Sequence, residues 1–247
     1  MILILGSSHD DVLYFESILT KKRNEEIYNR YPAVFGRLFN QDVVLVYDIY
    51  TNYVASLVTN YLINKYFILL AFCVGTCVSY SDDIEFGTIA VSNQVLLSDI
   101  DQIGNKPVRL GQIPNGFPQF FKTDAGVKDF VNKAMAIRTY IQFFDSTYLS
   151  SNTYFYKESQ LEPLLVQGEL TSIKKNIVFD CTYGGVALAC YLNNISCIAI
   201  KVVETHFQTP TDYLDYSKIL ESYATVGKII VTSIGDIGRT DILEETR

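Results

Sequence analysis

The chain has 247 residues, of which 49% are hydrophobic, and its formal net charge at pH 7 is −7. This length supports one sizeable core, in one large α/β domain or two small ones. The basic residues are not clustered, which argues against a nucleic-acid surface, since phosphate neutralisation requires clustered Lys and Arg. The start has no signal-peptide pattern, and the most apolar stretch, residues 61–80, is interrupted by Asn64 and Lys65. We therefore expect a cytoplasmic protein that binds neither nucleic acid nor membranes.

The cysteine pattern points to the same compartment. Five cysteines are present, an odd number, and four of them lie inside or beside apolar segments. None has the spacing of a zinc site, so we expect buried free thiols in a reducing compartment and no metal. The five are Cys73, Cys77, Cys181, Cys190 and Cys197.

In the first half of the chain, short apolar runs alternate with segments of helical spacing. Residues 1–5 form an apolar run that ends at Gly6-Ser7-Ser8, and residues 9–19 carry apolar side chains at helical intervals. The same alternation predicts strands over 42–47, 67–74 and 86–92 and a helix over 52–64, with the strand over 67–74 ending at Gly75-Thr76.

The second half continues the alternation. It predicts a helix over 123–143, a strand or loop over 148–155, strands over 177–179 and 197–203 around a helix of small residues, a helix over 212–225 and a strand or helical turn over 228–233. Buried strands that alternate with helices favour an α/β fold with a mixed or parallel sheet and helices on both sides. No linker composition divides the chain, so we expect one domain over 1–235 and a loose charged tail over 236–247.

Two of the predicted strands end in carboxylates. Asp180 follows the strand over 177–179, and Glu204 follows the strand over 197–203. Ligands of open α/β sheets bind at the carboxyl edge of the strands, where we expect both acids to lie. A third acid, Asp11, lies at the start of the first helix. Each of these acids also has a simpler interpretation, as a helix-terminal or solvated surface carboxylate.

Three segments, taken in order, resemble a known family. They are GSSHDDV at 6–12, VGTCVSYSDDIEFGTIAVS at 74–92, and VFDCTYGGVALAC followed by CIAIKVVE at 178–204. Together they look like the nucleoside phosphorylase superfamily and, within it, the 5′-methylthioadenosine/S-adenosylhomocysteine nucleosidases. The resemblance covers about residues 1 to 230 and depends on the order and spacing of the motifs.

The resemblance implies a three-layer α/β/α sandwich with a central mixed sheet, assembled as a homodimer. It also implies hydrolysis of the N-glycosidic bond of a 5′-thioadenosine, with release of adenine and with no metal or organic cofactor. Breaking such a bond passes through an oxocarbenium-like sugar, so acids are useful at both ends of the bond.

For the catalytic acids, the resemblance places Asp11 on the residue that activates water. An ungapped alignment places Thr205 on the residue that protonates the base, a role that a threonine cannot fill. With a one-residue deletion, Glu204 takes that position. Glu204 is therefore our candidate general acid.

For the ribose, the family's Glu-Met-Glu turn corresponds to Asp180, Cys181 and Thr182. Because Thr182 cannot accept the bidentate pair that a vicinal diol offers a carboxylate, either Asp180 or Thr182 holds the sugar.

For the base, the resemblance places Phe155 on the stacking residue, Tyr156 on its neighbour and Thr76 in a small-residue loop. The Phe155 assignment depends wholly on the alignment, because core packing is the usual role of a phenylalanine.

Three further residues are possible members of the site, namely Ser8, His9 and His206, and His206 could replace the missing proton donor. The pair Gly184-Gly185 favours close helix packing over phosphate binding, so a hydrolase is expected rather than a phosphorylase. Two alternatives stay open. One is a hydrolase for another nucleoside such as futalosine, and the other is an inactive nucleoside-binding or scaffold homologue.

Overall fold

The computed structural model describes residues 1–102, 104, 108–138, 140–153, 158–207 and 216–238. Within these residues the chain forms ten β-strands and six α-helices. The strands are β1 (Ile2–Leu5), β2 (Thr20–Ile27), β3 (Tyr31–Leu38), β4 (Gln41–Val46), β5 (Leu70–Ser79), β6 (Ile89–Leu97), β7 (Phe121–Lys122), β8 (Phe143–Ser150), β9 (Ile177–Asp180) and β10 (Ser196–His206). The helices are α1 (Asp10–Ile18), α2 (Asn52–Tyr66), α3 (Ala125–Ala136), α4 (Glu158–Gln167), α5 (Tyr183–Leu192) and α6 (Tyr216–Ile237).

The strands form one mixed sheet that partly closes on itself. Its order is β10-β6-β8-β9-β5-β1-β4-β3-β2, and β10 also pairs with β5. Five strands, from β10 through β6, β8 and β9 to β5, therefore form a closed ring, while β1, β4, β3 and β2 extend from it as an open arm. Strands β1, β4, β5 and β10 run parallel where they pair, so their carboxyl ends meet at one edge.

Helices cover both faces of the sheet. Helices α1, α3 and α6 share one apolar core, in which Phe15, Val131 and Ile230 are buried. Helices α2 and α5 share a second core, which buries Val58 and Val186. The predicted α/β fold, with a mixed sheet between two helical layers, is confirmed. Among the described residues, no helix is long and apolar enough to cross a membrane.

Several predicted boundaries were wrong. Strand β5 does not stop at Gly75-Thr76 but continues to Ser79, and β10 continues past Val203 to His206. Helix α3 ends at Ala136 rather than at residue 143. Ile137 and Tyr140 continue the apolar pattern but are exposed, so the pattern over-predicted the helix.

The C-terminal segments also differ from the prediction. Residues 228–233 belong to α6, which runs to Ile237, two residues into the predicted tail. Residues 239–247 lie outside the described part of the chain.

The edge strand β2 carries almost no sequence signal. It reads TKKRNEEI, and all of its residues except Glu25 and Ile27 are exposed. A charged edge strand of this kind protects a sheet from pairing with another chain, but it lacks the apolar alternation by which strands are predicted.

Candidate active site

A cavity of about 670 Å³ opens at the carboxyl ends of the central strands. Its walls come from the turn between β1 and α1, the end of β5, the β9–α5 turn and the end of β10. Ligands of α/β sheets bind at this edge. The three predicted acids, Asp11, Asp180 and Glu204, all line this cavity. The expectation that Asp180 and Glu204 end parallel strands at one edge was wrong, because β9 pairs antiparallel with β5 while β10 pairs parallel with it.

Most of the other predicted site residues also line this cavity. They are Ser8, Thr76, Cys181 and Thr182. Phe155 and Tyr156 lie outside the described residues, so their assignment to the base stays a prediction.

Asp11 is held in a fixed orientation by the turn before α1. Its side chain is buried, and Oδ2 accepts hydrogen bonds from the backbone N–H of Ser7 at 2.7 Å and of Ser8 at 2.8 Å. The carboxylate also lies in the first turn of α1, where the helix dipole favours a negative charge. Its second oxygen, Oδ1, makes no hydrogen bond with any described residue. Asp11 can therefore bind a water molecule through Oδ1 while Oδ2 keeps the group in place.

Gly75 supports Asp11 from the neighbouring strand. Its φ is +130°, a conformation that side chains rarely adopt, and a Cβ built there would lie 2.9 Å from Oδ2 of Asp11. The close approach of β5 to Asp11 therefore depends on glycine at this position.

A buried ion pair forms the floor of the cavity. Nζ of Lys201 lies 2.8 Å from Oδ2 of Asp180, and both side chains are only 1% exposed. Lys201 also donates to Oγ1 of Thr182 at 2.8 Å. Asp180 Oδ2 accepts further hydrogen bonds from Thr182 Oγ1 at 3.2 Å and from the backbone N–H of Tyr183 at 2.8 Å, so it caps α5.

Both members of this pair stay charged. Burial by itself raises the pKa of Asp180, but the ammonium of Lys201 and the hydrogen bonds to the carboxylate together outweigh burial and hold that pKa below its usual value. Burial lowers the pKa of Lys201, but the carboxylate of Asp180 and nearby groups raise it well above its usual value. Oδ2 of Asp180, Nζ of Lys201 and Oγ1 of Thr182 are thus used in contacts with one another, while Oδ1 of Asp180 is buried without a partner among the described residues.

Lys201 was not predicted as a site residue, although the sequence contains a signal for it. It lies between Ile200 and Val202 in an apolar strand. A lysine in such a strand requires a buried acid as its partner, because an unpaired buried charge is too costly.

The N-terminus of α5 is not a phosphate site. The backbone N–H of Gly184 donates to Ser150 Oγ, and that of Gly185 donates to Asn52 Oδ1, each at 2.9 Å. A Cβ at Gly185 would lie 2.1 Å from the backbone oxygen of Asn52, so α2 and α5 pack closely there. The packing interpretation of the glycine pair is confirmed.

Glu204 occupies a β-bulge rather than the end of its strand. In the pairing of β10 with β5, Val203 lies opposite Cys77 and Thr205 lies opposite Val78, which leaves Glu204 as the extra residue. Glu204 and Thr205 both line the cavity as a result. The Glu204 carboxylate makes no hydrogen bond or ion pair with any described residue. It is therefore free to interact with a ligand.

The two histidines lie outside the lining of the cavity. His9 Nε2 lies 2.6 Å from Oε2 of Glu16, and its ring packs on Tyr47. His206 is buried against Phe86 and contacts the carbonyl of Ile84. The structure thus places neither imidazole where it would meet a ligand in the cavity, and His206 is not in position to replace the proton donor.

The wall beside Glu204 is apolar. It is formed by Val78, Leu149, Phe179 and Phe207, and the two phenylalanine rings lie 5.6 Å apart. Sequence reasoning did not single out this wall, because each residue reads as an ordinary member of the core.

Family membership follows from a comparison over nearly the whole chain. The family model described as the phosphorylase superfamily matches residues 1–234. The chain belongs to the phosphorylase superfamily. None of the curated proteins matches it.

Solved structures share its fold at low sequence identity. A 5′-methylthioadenosine/S-adenosylhomocysteine nucleosidase from Neisseria meningitidis, in complex with methylthio-immucillin-A, has a TM-score of 0.79 and 12% identity over 94% of this chain and 97% of its own. The corresponding nucleosidase from Colwellia psychrerythraea, in complex with adenine, has a TM-score of 0.79 and 19% identity over 95% of this chain and 94% of its own. A futalosine hydrolase mutant from Helicobacter pylori has a TM-score of 0.79 and 16% identity over 95% of this chain and 98% of its own.

Removing Lys201 should destabilise the fold. We expect Lys201→Met to lower the free energy of unfolding by about 3–5 kcal/mol, because it leaves Asp180 buried without a partner. Urea unfolding at pH 7 measures this loss. The double variant Lys201→Met/Asp180→Leu should recover part of it, and Lys175→Met, which breaks the exposed pair with Asp83, should change little. A loss in Lys201→Met no larger than that in Lys175→Met would contradict the assigned role.

The pH dependence of this contribution follows from the two shifts. The pKa of Asp180 is lower in the folded protein than in the unfolded chain, where it is about 3.9. Asp180 therefore stabilises the fold at pH values above about 3.9, and this stabilisation is lost as the pH falls through the pKa of the folded state. The pKa of Lys201 is higher in the folded protein than in the unfolded chain, where it is about 10.4. Lys201 therefore stabilises the fold at pH values below about 10.4, and this stabilisation is lost as the pH rises through the pKa of the folded state. We expect the pair to contribute fully between about pH 4 and pH 10.

Gly75→Ala should also be destabilising, by about 1–3 kcal/mol, because it combines backbone strain with a clash against Asp11. Gly116→Ala is the matched control, since Gly116 also has a positive φ but has no atom within 4 Å of the added Cβ. Thermal unfolding of both variants separates the clash from the strain. Equal losses in the two variants would show that contact with Asp11 is not what requires glycine at position 75.

Proposed function

We propose that this protein hydrolyses the N-glycosidic bond of a purine nucleoside and releases the free base. The substrates that we propose first are 5′-methylthioadenosine and S-adenosylhomocysteine, with a cytoplasmic role in purine and methionine salvage. The observation that carries the proposal is the pair Asp11 and Glu204. Both line one cavity, and both have carboxylate oxygens without a partner among the described residues.

In the proposed reaction, Asp11 accepts a proton from a water molecule held at Oδ1. The water oxygen forms a bond to C1′ of the sugar as the bond from C1′ to the base nitrogen breaks. The electrons of that bond go to the base, which takes a proton from the carboxyl group of Glu204. The products are the free base and the sugar with a hydroxyl at C1′, and the two carboxyl groups complete the cycle by exchanging one proton with solvent.

The remaining predicted residues take supporting roles in this proposal. Asp180, Cys181 and Thr182 contact the ribose from the floor of the cavity, where Lys201 fixes Asp180 and Thr182. The base lies against the apolar wall beside Glu204. Phe155, Tyr156 and Thr76 are proposed as its further contacts.

Water rather than phosphate is the proposed acceptor. A phosphate nucleophile needs cationic groups that are free to bind it. Lys201 is the one cation that lines the cavity among the described residues, and it is already bound by Asp180 and Thr182. No cofactor is required by the proposed reaction.

A base-release assay tests the proposal directly. We expect release of adenine from methylthioadenosine or adenosylhomocysteine at the same rate with and without phosphate. A strict phosphate requirement would contradict the hydrolase assignment. If none of methylthioadenosine, adenosylhomocysteine, futalosine and inosine is cleaved, the alternative of an inactive nucleoside-binding or scaffold homologue replaces it.

Futalosine belongs in the assay for a structural reason. The Helicobacter pylori futalosine hydrolase mutant matches this chain as well as the nucleosidases do. In addition, the bulky Tyr50 lines the cavity, and a pocket changed in this way would fit a changed substrate. Cleavage of futalosine but not of methylthioadenosine would assign the chain to that second substrate.

Substitution of either free acid should lower the rate. We expect Asp11→Asn and Glu204→Gln each to reduce kcat by about 10² to 10⁴, the usual contribution of a positioned acid or base. Asp83→Asn, at an exposed acid on the loop between β5 and β6, should leave kcat unchanged. Steady-state kinetics of the three variants decide the point. Wild-type rates in Asp11→Asn would remove Asp11 from the mechanism.

We further propose that the protein is a homodimer joined through the outer face of α2. This face exposes Tyr53 and Leu57, and Tyr28 lies beside it with its hydroxyl near the backbone oxygen of Leu57. Tyr50 connects this face with the cavity, because it lines the cavity and is also 63% exposed. A second copy seated here would cover the open side of the cavity.

The dimer proposal predicts that Leu57→Asp shifts the protein to monomers and lowers activity. Sedimentation velocity measures the assembly state. Tyr140→Asp changes a residue of similar exposure that follows α3, and should leave the dimer intact. A wild-type monomer, or a Leu57→Asp dimer, would rule out this interface.

A further inference from the structure

We propose that His206 is a positioning residue that holds the Glu204 bulge in place. The inference rests on the proposed function, because it assigns Glu204 the role of general acid. His206 itself does not line the cavity, and it lies two residues beyond Glu204 in β10.

The bulge lacks backbone support on the side of β6. Just before it, the backbone N–H of Gly87 donates to the Val203 carbonyl, and that of Val203 donates to the Thr88 carbonyl, both at 2.9 Å. Beyond Val203, the next hydrogen bond between this stretch of β10 and the segment that leads into β6 is made by the His206 side chain, to the carbonyl of Ile84, as far as the described residues show. His206 therefore closes the open side of the bulge.

The opposite edge of β10 is held by the backbone of β5. His206 lies opposite Ser79 in that pairing, and the backbone N–H of Phe207 donates to the Ser79 carbonyl at 2.8 Å. The strand end is thus fixed by main-chain bonds on one edge and by one side chain on the other. Loss of the His206 side chain would free the bulge at its β6 edge, while the β5 edge stays hydrogen-bonded, and Glu204 could then shift away from the cavity.

The contact between His206 and the Ile84 carbonyl shows which ring nitrogen carries a proton. The Ile84 carbonyl can only accept, so Nε2 of His206 carries the proton. The ring stacks on Phe86, with centroids 4.3 Å apart and planes inclined by 23°. Nδ1 lies 3.9 Å from Oδ1 of Asp82, too far for a hydrogen bond. The imidazole is 8% exposed, so solvent cannot readily replace the lost donor.

Two substitutions separate the donor from the ring. His206→Phe keeps an aromatic ring on Phe86 but has no donor, whereas His206→Gln keeps an N–H near the position of Nε2. We expect His206→Phe to lower kcat about 10- to 100-fold with little change in KM, since a displaced catalytic group costs turnover, and His206→Gln to restore most of the rate. Phe86→Leu, which keeps the donor, should change kcat much less.

A double variant tests whether His206 acts through Glu204. In the Glu204→Gln background, His206→Phe should produce no further loss of kcat, because the group that it positions is already absent. A merely structural role would give losses that add, and additive losses would overturn the inference.

Amide hydrogen exchange provides a second test that does not need activity. We expect the amides of Glu204 and Thr205 to exchange faster in His206→Phe than in the wild type, with the amides of β1 unchanged. If the wild type cleaves no nucleoside, the proposed function fails, and the exchange result still decides whether His206 holds the bulge. Unchanged exchange at Glu204 and Thr205 would overturn the inference in either case.

Discussion

The candidate site depends on the buried ion pair between Lys201 and Asp180. These residues come from β10 and from the end of β9, two strands that both pair with β5. The ion pair therefore ties together two elements across a third, at the point where the closed ring of strands meets the cavity. Desolvating two charges is costly, and the cost is offset only when further hydrogen bonds satisfy the remaining donors and acceptors. The hydroxyl of Thr182 and the backbone N–H of Tyr183 supply such bonds to Oδ2 of Asp180, whereas Oδ1 of Asp180 is buried without a partner among the described residues.

This arrangement sorts the acids of the cavity by how fully they are bound. Oδ2 of Asp180 is held by an ammonium, a hydroxyl and the start of a helix, and Oδ1 has no partner among the described residues but is itself buried, so the role of Asp180 is to shape the site. Asp11 has one oxygen held by backbone N–H groups and one without a partner among the described residues. Glu204 has no polar partner there at all. The least satisfied groups are the ones that a ligand can engage, which is why the proposal assigns proton transfer to Asp11 and Glu204.

The sequence predicted the convergence of Asp11 and Glu204 because a simple rule governs it. Strands β1 and β10 are apolar and parallel to β5, and each ends near a carboxylate, so their carboxyl ends bring Asp11 and Glu204 to one edge. The rule does not account for Asp180, because β9 pairs antiparallel with β5. The sequence could not predict the bulge at Glu204, because a bulge is set by the register of β10 against β5 rather than by its own residues. Strand β2 was missed for a related reason. Its structure comes from pairing with β3, while its own residues are charged and exposed.

The family resemblance implies an acid at position 182, where this chain has Thr182, and the hydroxyl affects the charge of the cavity floor. With one carboxylate, one ammonium and one hydroxyl, the cluster around Lys201 is neutral, whereas an acid at position 182 would make it negative. The negative charge of the cavity is then supplied by Asp11 and the neighbouring Asp10, and by Glu204 as it gives its proton to the base. In the proposed reaction the sugar becomes cationic, and preoriented negative charge near a developing cation stabilises the transition state more than the ground state. A neutral floor thus leaves this electrostatic role to the acids on either side of the bond, and it gives up the charge-assisted grip on the ribose hydroxyls that a second carboxylate would provide.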